Sequence, residues 1–73
     1  MAAKVWFHFI EATEELAKMF PTASKTQIAA CLEHATVGER SATNWVNYDR
    51  ILHTKHKLIV LGFEFKNTGQ FVE

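Results

Sequence analysis

Between Lys4 and Ile10 the chain reads Lys-Val-Trp-Phe-His-Phe-Ile, with Val5, Phe7 and Phe9 alternating with Trp6, His8 and Ile10. β-Branched and aromatic residues at period two predict a β-strand. Both of its faces are largely apolar, so one can pack on the rest of the chain while the other needs a cover. From Glu11 to Phe20 the period lengthens, and Ala12, Leu16, Ala17 and Phe20 share one helical stripe. Glu11, Glu14 and Glu15 are expected in the first turn of that helix and Lys18 in the last, which complements the helix dipole at both ends. Pro21 stops it, because proline cannot donate the next backbone hydrogen bond. Ser24 followed by Gln27 has capping-box spacing and predicts a second helix to about His34, with Ile28, Cys31 and Leu32 on one face.

Ala35 to Arg40 contains Gly38 and reads as a turn, after which Ser41 is a candidate N-cap for a third helix through about Arg50, with Ala42, Trp45 and Val46 facing inward. In Lys57 to Phe65, Ile59, Leu61, Phe63 and Phe65 recur at period two, which predicts a second strand. Asn67-Thr68-Gly69 is a turn signal, and Gln70 to Glu73 would fold back as a short third strand. No repeat, linker or low-complexity run interrupts this order. The expected fold is a single α+β domain over residues 1–73, in which a strand, three helices with a helix-turn-helix-like core and a second strand lead to a C-terminal hairpin. That arrangement resembles the small Cro-type phage repressors.

The helix-turn-helix pattern departs from its usual register. Ala29 and Leu32 fit the first helix, but Glu33 takes the place of the customary glycine, and Trp45 lies too far downstream for a standard turn. On the expected third helix, Thr43, Asn44, Asn47 and Arg50 form the outward face, where such side chains contact base edges or phosphates. Lys55 and Lys57 extend a basic stretch beyond it, and these six residues are the candidates for proximity to nucleic acid. The other reading is a plain three-helix core with a solvated polar face.

The charge balance weighs against a simple DNA reader. Among 73 residues there are eight basic and eight acidic side chains, for a formal net charge of zero, whereas DNA-binding domains gain much of their affinity by neutralising phosphates. Hydrophobic residues make up 48% and charged residues 22%, a composition that folds. So short a chain has room for one small core. Apolar strand surface beyond what that core can hide suits a protein contact, and Val5, Trp6, Phe7, His8 and Phe9 are the candidate partner-binding residues. Strand addition at an open sheet edge is one way to use them, with Trp6 or Val60 supplying specificity. For Trp6, the competing reading is a lid on the core.

Other chemistry is thin. Cys31 with His34 and His53 with His56 share one spacing and could supply four zinc ligands. Cys31, however, lies on an apolar stripe, where a lone cysteine behaves as a small hydrophobe. No metal or cofactor is expected. The glutamates are explained by the helix dipole, His8 lies in an apolar strand and Ser41 reads as a cap, so the chain is expected not to be an enzyme. A single cysteine allows no internal disulfide, and no apolar run reaches the roughly 20 residues that span a bilayer. A location in the cytoplasm, without membrane attachment, is expected.

The length, the neutral charge, the opening Lys4-Val5-Trp6-Phe7-His8-Phe9 and the helix-turn-helix-like middle through Trp45 together resemble the small phage-encoded transcription regulators, of the Xanthomonas phage type, that bind and inhibit host RNA polymerase. The resemblance implies contact with the two large subunits of bacterial RNA polymerase, displacement of sigma factor at initiation, antitermination, and residence in the bacterial host cell. A Cro-like sequence-specific repressor is the alternative. Neither the oligomeric state nor the polymerase surface follows from the residues.

Overall fold

The computed structural model describes residues 5–35, 44–68 and 71, with the side chains of residues 34 and 35 excepted. Along these the order is β1 (Trp6–His8), α1 (Phe9–Met19), α2 (Lys25–Ala35), β2 (Trp45–Asn47) and α3 (Tyr48–Val60). The class is α+β: a two-stranded antiparallel ribbon packs against α1 and α3, and α2 packs against those two helices.

The ribbon pairs Trp6 with Asn47, Phe7 with Val46 and His8 with Trp45. Side chains alternate across a strand, so Phe7 and Val46 point inward and are buried, while Trp6, His8, Trp45 and Asn47 are half-buried on the other side. Each strand runs without a loop into a helix. The Phe9 amide donates to the Asn44 carbonyl at 2.7 Å, and the Tyr48 amide donates to the Val5 carbonyl at 2.8 Å. These reciprocal bonds make the ribbon an internal two-fold, and its sequence basis is Trp6-Phe7-His8-Phe9 echoed by Trp45-Val46-Asn47-Tyr48.

The expected strand from Lys4 to Ile10 is thus confined to three residues, because the His8 side chain accepts the Ile10 amide and starts α1 at Phe9. The Glu11-to-Phe20 helix is present, extended toward its N-terminus, and buries Ala12, Thr13, Leu16 and Met19. With that earlier start only Glu11 occupies its first turn, and Glu15 pairs with Lys18 at 2.9 Å. Ser24 caps α2 as expected: its Oγ accepts the Gln27 amide at 3.1 Å. The Gln27 side chain, however, donates through Nε2 to Cys31 Sγ at 3.8 Å. Ile28, Cys31 and Leu32 are buried on one face, as the spacing requires.

Two expectations fail. The third helix does not start at Ser41 and end near Arg50. Trp45, Val46 and Asn47 are in the ribbon, and the helix begins at Tyr48 with Asn47 as its cap, Oδ1 accepting the Arg50 amide at 2.9 Å. The second strand from Lys57 to Phe65 is absent, since α3 continues to Val60. The helical stripe Ile51, Thr54, Leu58, fully buried, overrides the period-two pattern downstream of it. Gly62, at φ +97, then ends the helix: its amide donates to Ile59 and that of Phe63 to Leu58, the paired bonds of a Schellman motif.

Residues 63–68 strap the far end of α1 instead of pairing as a strand. The Lys66 amide donates to the Met19 carbonyl at 2.8 Å and the Thr68 hydroxyl to the Lys18 carbonyl at 3.4 Å, so the strap satisfies carbonyls that a helix end leaves open. Residues 36–43, which include the expected turn at Gly38 and the Ser41 cap, lie outside the described residues. So does most of the expected third strand at Gln70 to Glu73, of which Phe71 alone is described, in a turn and fully buried.

Candidate docking face on the aromatic ribbon

The ribbon has one side buried against the core and one side half-buried. Inward, Phe7 meets Phe71 edge-on at 5.0 Å between ring centroids and Tyr48 at 6.3 Å, with Tyr48 and Phe71 6.5 Å apart. This aromatic triad closes one end of the core formed by Leu16, Met19, Ile28, Leu32, Ile51 and Leu58. Outward, the His8 ring stands edge-on to Trp45 at 5.6 Å and 67°, and Trp6 lies on the same side of the pleat. Exposed aliphatic side chains flank this face, Val5 at 52% and Ile10 at 60%.

Of the five candidate partner-binding residues, Trp6 and His8 share the outer face and Val5 stands exposed at its margin. Phe7 is a core residue, and Phe9 packs against the core from a partly buried position. Trp45 was expected as the anchor of a third helix, yet it completes the outer face. It is placed there by its pairing with His8, which joins residues far apart in the chain.

The nucleic-acid candidates do not form one array. Thr43 lies outside the described residues. Asn44 is exposed and lends its carbonyl to Phe9. Asn47 spends its side-chain oxygen on the α3 cap, and Arg50 is buried at 4% exposure rather than displayed. Lys55 reaches Phe71 O at 3.4 Å and sits 5.4 Å from the Phe65 ring centre, while Lys57 is half-buried in the last turn of α3. At 1.5 Å per helical residue, Lys57 stands about 15 Å along the axis from Asn47.

Charge is distributed along the helices. Both α1 and α3 start at the ribbon, where Glu11 and Asp49 occupy the first turns, and Lys18 and Lys57 occupy the last turns away from it. Arg50, buried in the first turn of α3, adds a cation at the ribbon end, so among the described residues charge of both signs stands there.

The four candidate zinc ligands are placed differently from one another. Cys31 is buried in the core, His53 and His56 are exposed on α3, and the His34 side chain lies outside the described ones. Among the described residues no three His, Cys, Asp or Glu side chains converge on a metal position. None of the described helices is long and apolar enough to cross a membrane. No protein-family model, curated protein or solved structure matches the chain significantly.

Proposed function

We propose that this chain is a non-enzymatic regulator that acts by docking on another protein through the outer face of its ribbon. The observation that carries this reading is the set Trp6, His8 and Trp45 on one side of the ribbon, half-buried and flanked by exposed Val5 and Ile10. Tryptophan in a half-open setting supplies large contact area with little conformational entropy to lose, which is why aromatic residues dominate protein contacts. The partner proposed is bacterial RNA polymerase, through its large subunits, with inhibition of initiation and antitermination as the consequences. That identity comes from the resemblance to the small phage regulators, while the geometry supports the class of partner.

The operator-reading alternative draws less support. A helix-turn-helix needs a short turn between its two helices, and here β2 stands between α2 and α3. Asn47 and Arg50, two of the side chains it would read with, serve the cap and the core.

The test is capture from bacterial lysate with the tagged chain. Recovery of the two large polymerase subunits, unchanged by nuclease and by raised salt, is the expected result. Recovery of DNA-dependent partners alone, lost as salt rises, would return the operator-reading alternative to the front.

A further inference from the structure

The first halves of α1 and α2 enclose between them a cavity of about 280 Å³. Pockets for drug-sized ligands run to about 300–1,000 Å³, so this one suits a smaller molecule, near the size of an amino acid. Much of its lining is apolar. Ile10, 60% exposed, and partly buried Phe9 come from α1, while half-buried Ala29 comes from α2. Thr13 also lines it, with its hydroxyl donating to the Phe9 carbonyl at 2.9 Å.

Two charges of opposite sign complete the lining, Glu14 on α1 and Lys25 on α2, and both are exposed. Among the described residues neither has an ion-pair or hydrogen-bond partner, and they do not pair with each other. The other charged residues of α1 are engaged already: Glu15 pairs with Lys18 at 2.9 Å, and Glu11 has an interaction of its own. No acidic residue occupies the first turn of α2, so the positive start of that helix adds to Lys25. A carboxylate and an ammonium held apart over an apolar surface are the complement of a zwitterion that carries an apolar side chain.

We propose that this cavity binds a free apolar α-amino acid of about the size of leucine. The ligand ammonium donates to the Glu14 carboxylate, the ligand carboxylate accepts from Lys25 Nζ, and the side chain lies against Phe9, Ile10 and Ala29. Binding needs all three at once, because one exposed ion pair is worth too little alone. The cavity shares Ile10 with the margin of the ribbon's outer face, but the inference rests on nothing proposed for that face.

The experiment uses the whole chain, isotopically labelled, and follows amide NMR shifts at neutral pH during titration with L-leucine. Saturable shifts are expected at Ile10, Glu14, Lys25 and Ala29. Two probes of the same branched shape each lack one charge: 4-methylpentanoate has no amine and 3-methylbutylamine no carboxylate. Each should bind about fivefold more weakly, the scale of one exposed ion pair, and glycine, without the side chain, should not saturate. Glu14→Gln should reduce leucine to the affinity of 4-methylpentanoate and leave that probe's own binding unchanged. Lys25→Gln should do the same with respect to 3-methylbutylamine. Both positions are exposed, so the rest of the spectrum should stay that of the parent. Equal response to all three branched probes, shifts centred on Trp6 and Trp45, or no saturable response to leucine at its highest soluble concentration would overturn the assignment. The last is the result expected if Glu14 and Lys25 close on each other instead.

Discussion

Phe7, in the middle of β1, stands edge-on to Phe71 with their ring centres 5.0 Å apart and their planes at 88°. The contact holds Phe71 against the inner face of the ribbon, where it is fully buried. A perpendicular pair of this kind contributes beyond the area it hides, because the positive ring edge meets the negative ring face. Removing Phe71 therefore strips the ribbon of its inner support. Phe71→Ala is expected to lower unfolding free energy by about 3–5 kcal/mol, with Phe71→Leu costing clearly less. Urea denaturation followed by tryptophan fluorescence measures both, and a loss below about 1 kcal/mol for the alanine variant would mean that the contact is dispensable.

Asn47 has two duties, pairing with Trp6 in the ribbon and capping α3. Asn47→Ala keeps the backbone pairing but orphans the Arg50 amide, and should cost about 1 kcal/mol. Asn47→Asp should retain most of the stability, since its carboxylate accepts the same bond at the positive end of the helix. Thermal melts of the pair separate capping from any loss of packing: equal destabilisation by both would show that the cap is not what matters.

Gly62 closes α3 at φ +97, and a Cβ placed there would touch nothing within 4 Å. Any penalty for Gly62→Ala is consequently backbone strain alone, about 1–3 kcal/mol. Gly62→Asn should cost less, because asparagine tolerates positive φ better than alanine does. If alanine proved neutral, the Schellman closure would not be holding the helix end.

Arg50 offers a warning for any mutational search for nucleic-acid contacts. It is buried, so Arg50→Ala should reduce stability, by about 1–3 kcal/mol, through its lost packing and internal contacts. A binding defect in that variant must be read beside its melting curve. Lys57→Ala, on a half-buried side chain at the helix end, should leave the melt within about 0.5 kcal/mol of the parent.

The parts of this fold legible in the sequence were those fixed locally. Ser24 announced α2 by its spacing from Gln27, Pro21 marked the end of α1, and the stripe Ile28, Cys31, Leu32 gave the buried face. The misreadings arose where two periods competed. Ile59, Leu61, Phe63 and Phe65 alternate like a strand, but the preceding turns of α3 are held by Ile51, Thr54 and Leu58, and Gly62 was available to end a helix rather than a strand. Trp45 and Val46 fit a helical stripe as well as a strand. Only the long-range pairing with His8 and Phe7 decides between them, and no local pattern encodes that pairing. The candidate site was half visible for the same reason. Trp6 and His8 stand out in the opening run, whereas Trp45 joins them only through its pairing with His8.

The central claim is that the ribbon's outer face is where another protein docks, and purified bacterial RNA polymerase is the partner against which to measure it. The most direct measurement is the affinity of that enzyme for the labelled chain, compared with Trp6→Ala and Trp45→Ala, and with Val60→Ser on the exposed end of α3 as a control, all shown folded by NMR. The account predicts that each tryptophan variant loses about tenfold or more, the scale of an aromatic hot spot, while Val60→Ser binds like the parent. Unchanged binding by both tryptophan variants, with loss on Val60→Ser, would contradict it.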